Sequence, residues 1–288
     1  MFIAGIDGGG THTRLELRDE TNGLLGRREF GPFNLNAIGE TAFRTLLRQV
    51  FAHCGDMAQC KALCVGGAGI SNPKVEQILA QELEMAGFRG AWKLCGDQEI
   101  ALRGAMDGPG VAVIAGTGSI CFGRNAAGET ARSGGYGHLI DDGGSGYALG
   151  RDVLSAAVRT ADGREENQVL LDAVYEALGA TAPADIVSFV YAPDTDKAAI
   201  ARFASIALTQ EQAQPILARG ARELAAVVGA VQRKLNLAGC PIALLGGLLS
   251  SDNPYRTLVC RELEPLGTPI APGHDALWGA AQMAWELL

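Results

Sequence analysis

The sequence lacks any continuous apolar stretch of the length that crosses a lipid bilayer, about 18 residues or more. Its first residues have no basic segment, and Asp7 and several glycines stand where a signal peptide would carry apolar residues, so we expect no signal peptide here. No dense run of lysine and arginine occurs, and the formal net charge is −8. We therefore expect neither nucleic acid nor a membrane as the main partner, and we expect a cytoplasmic protein.

Cysteine pairs with the spacing of a metal site are missing as well. The chain has seven cysteines, an odd number, and none of them forms a Cys-x-x-Cys pair. We therefore expect neither a zinc site nor an iron–sulfur cluster. Cys64, Cys95 and Cys121 lie inside apolar segments, which predicts reduced thiols in the core.

A Walker-type phosphate loop is absent too, but another glycine turn lies near the start of the chain. Residues 5–17 read as an apolar strand, a turn and an alternating strand. Consecutive glycines let backbone N–H groups face an anion, and Asp7 at the strand end suits Mg²⁺, directly or through water. The turn predicts a magnesium–nucleotide site, with a plain glycine hairpin as the alternative. The residues assigned to the nucleotide here are Gly8, Gly9, Gly10 and Thr11.

The order of the predicted elements repeats along the chain. With 288 residues and 48% hydrophobic composition, the chain can form two domains with large cores. Residues 1–109 show a βββαβαβα order, and residues 110–288 show it again with extra helices at about 160–235. We predict an α/β protein of two duplicated lobes with a helical insertion in the second. The apolar face predicted for the first helix consists of Phe43, Leu46, Leu47, Val50 and Phe51.

A short repeated segment supports the duplication. Ala101–Ala105 reads Ala-Leu-Arg-Gly-Ala and recurs as Ala-Leu-Trp-Gly-Ala at Ala276–Ala280, at the equivalent place in each half. Chance can produce such a match, but the shared order of elements makes duplication the better explanation.

Two lobes of this kind, facing one another across a nucleotide, are the architecture of the actin-like and sugar-kinase superfamily, with its RNase H-like lobes. Three segments resemble its N-acetylglucosamine kinase branch, which is grouped with the BadF/BadG/BcrA/BcrD-type ATPases. They are Asp-Gly-Gly-Gly-Thr at 7–11, Gly-Thr-Gly-Ser at 116–119, and Gly-Gly-Tyr-Gly-His-Leu-Ile-Asp-Asp-Gly-Gly-Ser at 134–145. The resemblance implies ATP and Mg²⁺ as cofactors and a small amino sugar as substrate, and the family alone suggests a homodimer.

By this resemblance, the two glycine turns grip the phosphates from opposite lobes, with Thr11 and Thr117 as hydroxyl donors. A glycine pair after the strand at 241–245 resembles the superfamily's adenosine motif, where the nucleotide lies against bare backbone. Close packing of a strand on a helix would explain the same pair equally well. The further residues assigned to ATP are Gly116, Thr117, Gly118, Gly246 and Gly247.

Asp97 is the candidate general base. It follows a predicted strand at 91–95 and precedes a helix, so its carboxylate belongs at the carboxyl edge of the sheet, where ligands of α/β lobes gather. There it can accept the proton of a sugar hydroxyl. Local sequence alone favours the alternative, an aspartate that caps the helix. Its place in the duplicated lobe and the family resemblance favour the base.

The sugar pocket implied by the resemblance is built from short polar side chains and a glycine-rich segment. Asn36 is an alternative to Asn34, and Asp141 is expected to be a bystander. For the loop residues a purely structural role also stays open. The residues assigned to the sugar are Asn34, Asp97, Ser119, Gly135, Tyr136, Gly137, His138 and Asp142.

One position departs from the family pattern. Ile120 stands where N-acetylglucosamine kinases carry asparagine, and an apolar side chain cannot make the same polar contact with the sugar. We predict an ATP-dependent hexosamine kinase that phosphorylates N-acetylglucosamine at its 6-hydroxyl, with glucosamine as the alternative substrate. The rival functions are a BadF-type ATPase that activates a partner enzyme and a sugar-binding regulator without catalysis.

Overall fold

The computed structural model describes all residues from Met1 to Leu288, which form two compact α/β units. One unit comprises Met1–Asp107 together with Pro272–Leu288, and the other comprises Gly108–Ala271. None of the helices has both the length and the hydrophobicity needed to cross a membrane.

The elements follow the predicted order closely. The strands are β1 (Phe2–Gly8), β2 (Thr13–Asp19), β3 (Leu24–Phe30), β4 (Cys60–Gly67), β5 (Ala91–Gly96), β6 (Gly110–Ala115), β7 (Ser119–Arg124), β8 (Thr130–Gly134), β9 (Pro241–Leu245) and β10 (Thr268–Ile270). The helices are α1 (Leu35–Cys54), α2 (Pro73–Met85), α3 (Asp97–Ala105), α4 (Gly146–Ala161), α5 (Gln168–Leu178), α6 (Pro183–Val190), α7 (Lys197–Ala201), α8 (Ala204–Thr209), α9 (Gln214–Leu235), α10 (Gly247–Ser250), α11 (Pro254–Leu263) and α12 (Ala276–Trp285).

The two sheets have the same topology, which confirms the predicted duplication. The first sheet has the spatial order β3-β2-β1-β4-β5, and the second has the order β8-β7-β6-β9-β10. In each, the central strand pairs antiparallel with the strand that follows it and parallel with the fourth. Helices α4 to α9 separate β8 from β9, and α5 to α9 occupy the predicted insertion at about 160–235.

The core of the first unit contains the predicted face of α1. Its five apolar residues are all buried, and the helix kinks at Gly39, where φ is 78°. Six of the seven cysteines are buried free thiols and Cys260 is half-buried, which confirms that they are core residues. Burial raises the pKa of the Cys54 and Cys60 thiols to about 12, so both stay protonated at neutral pH.

The sequence predicted a division between residues 109 and 110, which would place the C-terminal helix α12 in the second lobe. In the structure α12 belongs to the first unit. It packs against α3 where each helix has a glycine. A Cβ atom on Gly104 would collide with the carbonyl of Asp275, and one on Gly279 would collide with the carbonyl of Ile100. The two glycines are the fourth residues of the repeated segments, so the repeat marks the contact between α3 and α12.

Candidate active site

The turn between β1 and β2 leaves backbone donors free. The Gly8 carbonyl accepts a hydrogen bond from the Ala68 N–H at 2.8 Å, and the Gly9 carbonyl accepts one from the Phe33 N–H at 2.9 Å. The N–H groups of Gly10 and Thr11 have no acceptor within the chain. Because these two carbonyls are hydrogen-bonded within the chain and the amides are free, the turn has the donors that a phosphate group requires.

Packing explains only some of the glycines in this turn. A Cβ atom on Gly8 would collide with the ring of Phe33, whereas one on Gly10 would meet nothing within 4 Å. Gly10 also has no positive φ that would require glycine. Its lack of a side chain keeps the space above the turn open. The Thr11 side chain is exposed and its hydroxyl has no partner within the chain.

Asp7, the candidate magnesium residue, forms an ion pair with Arg14. The two are directly opposite in the β1–β2 ladder, and Arg14 Nη2 lies 2.5 Å from Asp7 Oδ2. Arg14 Nη1 also donates to Asp275 Oδ2 at 3.1 Å. The Asp7 side chain is only 15% exposed. One guanidinium therefore holds two carboxylates, and Asp7 lies at the strand end, as predicted.

Asp97 is the first residue of α3, and Gly96 occupies the N-cap position. The Oδ1 of Asp97 accepts a hydrogen bond from the Gln98 N–H at 2.9 Å, while the Glu99 carboxylate accepts one from the Gly96 N–H at 3.2 Å. Asp97 thus satisfies one free helix N–H and still reaches solvent. Desolvation by the surrounding protein raises the pKa of Asp97, and the charge of Asp7 raises it further. A raised pKa suits a group that takes and releases protons.

The turn between β6 and β7 has the same design as the first. The carbonyl of Gly116 accepts a hydrogen bond from the Gly146 N–H at 2.8 Å, and that of Thr117 accepts one from the Tyr147 N–H at 3.1 Å. The N–H groups of Thr117 and Gly118 have no acceptor within the chain, and the Thr117 side chain is exposed. A second set of backbone donors therefore lies at the start of α4.

Asp142 lies beside this second turn. Its side chain is 4% exposed, its φ is 64°, and a Cβ atom on Gly118 would lie 2.9 Å from its Oδ2. A non-glycine residue rarely adopts a positive φ, so the loop holds Asp142 in a strained conformation. Its carboxylate forms no hydrogen bond with a protein donor. The residue is largely buried, but its carboxylate oxygens are not fully enclosed, so they are available to a ligand hydroxyl or amide.

Ser119 forms a hydrogen bond with the backbone of the same loop. It is 6% exposed, and its hydroxyl donates a hydrogen bond to the Gly143 carbonyl at 2.8 Å. Tyr255 acts in a similar way, since its buried hydroxyl donates to the Gly144 carbonyl at 2.6 Å. The sequence interpretation assigned Ser119 to the sugar and did not find Tyr255. In the structure both hydroxyls hold backbone of the loop.

The residues from 135 to 141, which follow the buried Gly134 at the end of β8, form an exposed to half-buried, glycine-rich turn. Tyr136 is 62% exposed, and the guanidinium carbon of Arg132 lies 5.0 Å from its ring centroid. His138 packs edge-on against Tyr147, with ring centroids 4.7 Å apart. The Asp141 carboxylate accepts a hydrogen bond from the Tyr136 N–H at 3.2 Å, which gives this residue a structural role in the turn. Positive φ angles explain Gly134 and two glycines of the turn, Gly135 and Gly137.

Ile120, the residue that departs from the family pattern, packs against this turn. A Cβ atom on Gly135 would lie 2.8 Å from Ile120 Cδ1. The isoleucine side chain therefore lies against bare backbone of the segment assigned to the sugar. It supplies an apolar surface there, and no hydrogen bond.

The structure separates the two candidate asparagines of the first unit. Asn36 Oδ1 accepts a hydrogen bond from Asn72 Nδ2 at 2.8 Å, so its amide is engaged. Asn34 occupies the N-cap position of α1, but its side chain makes no capping hydrogen bond. Its Oδ1 lies 3.7 Å from the position of a Cβ atom on Gly69. Of the two asparagines, Asn34 therefore has the free side-chain amide. It lies near the loop that follows β4.

The two glycines after β9 differ: close packing explains one of them, and an open surface for the predicted nucleotide remains at the other. Gly246 has a φ of 88°, and a Cβ atom there would collide with the carbonyl of Ala115. Packing therefore explains Gly246. Gly247 has no neighbour within 4 Å of a Cβ position and no positive φ, so packing does not explain it. The space beside Gly247 is open to a ligand.

Sequence reasoning missed Arg14 and Asp275 as members of the site. Arg14 could have been found, because the predicted hairpin places it opposite Asp7. Asp275 could not, since 261 residues separate it from Arg14 and only the packing of α12 brings them together.

Relatives with assigned activities match nearly the whole chain. The sequence is 32% identical to an N-acetylmuramic acid/N-acetylglucosamine kinase from Clostridium acetobutylicum, over 98% of each chain. It is 29% identical to an N-acetyl-D-glucosamine kinase from Dictyostelium discoideum, over 91% of this chain and 90% of the relative.

Solved structures agree with this relationship. A provisionally named N-acetylglucosamine kinase from Chromobacterium violaceum is 25% identical and superimposes with a TM-score of 0.73 over 98% of each chain. A ROK family glucokinase from Streptomyces griseus, with glucose and an ATP analogue bound, has a TM-score of 0.52 at 15% identity, which is a likeness of fold alone. The model of the BadF/BadG/BcrA/BcrD ATPase family matches residues 4–284. The predicted resemblance is confirmed, and the chain belongs to the BadF/BadG/BcrA/BcrD ATPase family.

Proposed function

We propose that this protein is an ATP-dependent kinase that transfers the γ-phosphoryl group of ATP to the 6-hydroxyl of a hexosamine, with N-acetylglucosamine as the first candidate. The observation that carries the proposal is the position of Asp97. Its solvent-accessible carboxylate lies at the start of α3, its pKa is raised, and the charge of Asp7 acts on it. The names of the two curated relatives support the same activity.

In this proposal Asp97 accepts the proton of the attacking hydroxyl, while the oxygen forms a bond to phosphorus and the bond to the ADP oxygen breaks. Each unit offers free amides suited to phosphate oxygens, those of Gly10 and Thr11 in the first and those of Thr117 and Gly118 in the second. Asp7 is the residue that would hold Mg²⁺, directly or through water, and the bound ion would supply charge compensation for the phosphates.

The substrate list starts with N-acetylglucosamine because both curated relatives carry it in their names. Glucosamine is the second candidate, because Ile120 offers an apolar surface where a polar contact with the acetamide was expected. N-acetylmuramic acid belongs in the same panel, since the Clostridium relative's name includes it. A cytoplasmic location and a homodimer remain predictions.

The product identifies the acceptor hydroxyl. We expect ³¹P NMR of the reaction with N-acetylglucosamine to show a phosphomonoester coupled to the two protons on carbon 6. The 6-deoxy sugar should bind without being phosphorylated. Phosphorylation of the 6-deoxy sugar would contradict the assigned position. If ATP is hydrolysed at the same rate with each sugar and without any sugar, the partner-activating ATPase is favoured instead.

A further inference from the structure

The second unit has an apolar groove between α4 and the insertion helix α6. Its volume is about 270 Å³. On α4, Tyr147, Leu154 and Val158 share one helix face by their spacing. Val187 and Val190 on α6 form the opposite wall, and Tyr191 stands at its end.

The groove is open to solvent although its lining is apolar. Leu154 and Ile186 are buried at 5% and 2% exposure, but Val187 is 50% exposed and Tyr191 is 81% exposed. An exposed apolar surface that forms a groove commonly marks a binding site. The volume is below the range of about 300 to 1,000 Å³ for whole ligand sites, but a cavity of about 150 Å³ already holds a benzene ring. The groove therefore suits one apolar group of a larger molecule.

Tyr147 joins the groove to the candidate sugar segment. Its ring lines the groove and also packs against His138, with ring centroids 4.7 Å apart. Its N–H donates to the carbonyl of Thr117 in the second glycine turn. Tyr147 therefore contacts both the groove and His138, one of the residues assigned to the sugar.

Arg151 is the one charged residue that lines the groove. Its guanidinium lies 3.0 Å from the Asp152 carboxylate, which also pairs with Arg219 at 2.7 Å. One carboxylate shared by two guanidiniums leaves a net positive charge beside Arg151, whereas most of the other residues that line the groove are apolar and favour an apolar occupant.

We propose that this groove is a subsite for an apolar substituent carried by the amino sugar, such as an aryl group on the anomeric oxygen or a lengthened N-acyl chain. The inference rests on the proposed hexosamine kinase function. It gives the helical insertion a role in selecting substituted sugars, with Val187 and Tyr191 as the outer contacts and Tyr147 as the link to the sugar.

The test compares three acceptors: N-acetylglucosamine, phenyl N-acetyl-β-D-glucosaminide and N-hexanoylglucosamine. Since one well-placed apolar group changes discrimination by about tenfold or more, we expect the KM of at least one substituted sugar to be about tenfold below that of N-acetylglucosamine. Val187→Asp and Tyr191→Ser should remove this gain. Val169→Asp is the matched control, because Val169 is an exposed valine on α5 outside the groove. It should retain the gain.

Equal or higher KM values for both substituted sugars would overturn the proposal, and so would a gain that survives both groove variants. The two substituted sugars separate the anomeric position from the N-acyl position. Isothermal titration with the three sugars keeps the test independent of catalysis. If N-acetylglucosamine is not phosphorylated, the proposed function fails. In that case the subsite is still tested by whether a substituted sugar binds more tightly than N-acetylglucosamine in the titration. If sedimentation velocity shows a wild-type dimer that Val187→Asp dissociates, the groove is a subunit interface and the proposal is wrong.

Discussion

Arg14 Nη2 lies 2.5 Å from Asp7 Oδ2, and the same guanidinium also donates to Asp275 Oδ2 at 3.1 Å. Two carboxylates thus share one cation, yet only Asp7 lies at the end of β1 beside the free amides of the first turn. The pair provides a controlled test of the metal assignment.

Asp7→Asn removes the charge and keeps the shape of the side chain. If Asp7 holds Mg²⁺, directly or through water, we expect the Mg²⁺ concentration for half-maximal activity to rise by about tenfold or more, because a carboxylate is a far better Mg²⁺ partner than an amide. Asp275→Asn is the control. It removes the other partner of Arg14 and retains a good N-cap for α12, so its Mg²⁺ dependence should match the wild type. Equal Mg²⁺ curves for both variants would remove Asp7 from the metal site.

Asp97→Asn should lower kcat by roughly two to four orders of magnitude, the usual contribution of a general base. The fold should persist, because asparagine can still accept the hydrogen bond from the Gln98 N–H. Glu99→Gln is the matched control, since Glu99 lies in the same helical turn and its carboxylate bonds only the Gly96 N–H and Lys93. It should keep most of the activity. A folded Asp97→Asn enzyme with near-normal turnover would leave the hydrogen bond from the Gln98 N–H as the sole role of Asp97.

The pH dependence follows from the raised pKa of Asp97. The base works deprotonated, so kcat/KM should fall on the acid side at a higher pH than an ordinary aspartate would give. Desolvation is the main cause and the charge of Asp7 adds to it. In Asp7→Asn the acid limb should therefore move part of the way towards lower pH, measured at saturating Mg²⁺. An acid limb that moves to higher pH would contradict this account.

The same shift has a consequence for stability. Because the folded-state pKa of Asp97 lies above the unfolded value, its contribution to stability is present below the unfolded pKa and is lost as pH rises through the folded pKa. At neutral pH the charged side chain is therefore unfavourable, and Asp97→Asn should have an equal or higher Tm than the wild type at pH 7. Calorimetry at pH 7 measures the difference. A clearly lower Tm would mean that the carboxylate mainly stabilises α3.

Gly247→Ala tests the adenosine site without disturbing the fold. No atom lies within 4 Å of the added methyl, so stability should stay within about 0.5 kcal/mol of the wild type, as for most surface changes. If the nucleotide lies against this backbone, KM for ATP should rise by about tenfold, because a methyl group prevents close approach. Gly26→Ala, on β3 and equally open, is the control and should leave KM for ATP unchanged. An unchanged KM in Gly247→Ala would move adenosine elsewhere.

Local patterns in the sequence were enough to predict most of the fold. The strand–turn–strand at the start, the buried face of α1 and the repeated order of elements all depend on short-range periodicity, and the structure has them where expected. The packing of α12 in the first unit was not predicted. It depends on the contact of Gly104 and Gly279 with the facing helix, and periodicity does not report contacts between distant segments.

The candidate site shows the same limit. The glycine turns follow from local sequence, and Asp97 was chosen from its place in the duplicated lobe and the family resemblance. The split between Gly246, which packing explains, and Gly247, which it does not, needed coordinates. The hydroxyl of Ser119 could not be assigned from its spacing, because its acceptor is a carbonyl 24 residues away. Polar residues that support a loop and those that face a ligand have the same composition, and only hydrogen-bond partners separate them.

The most direct test of the proposed function is a coupled assay of ADP release from MgATP with N-acetylglucosamine, glucosamine, N-acetylmuramic acid, glucose or no sugar, run on the wild type and on Asp97→Asn. We predict ADP release that requires an amino sugar in the wild type and falls by roughly two to four orders of magnitude in the variant. ADP release that is the same with every sugar and without one, and that persists in Asp97→Asn, would contradict the hexosamine kinase.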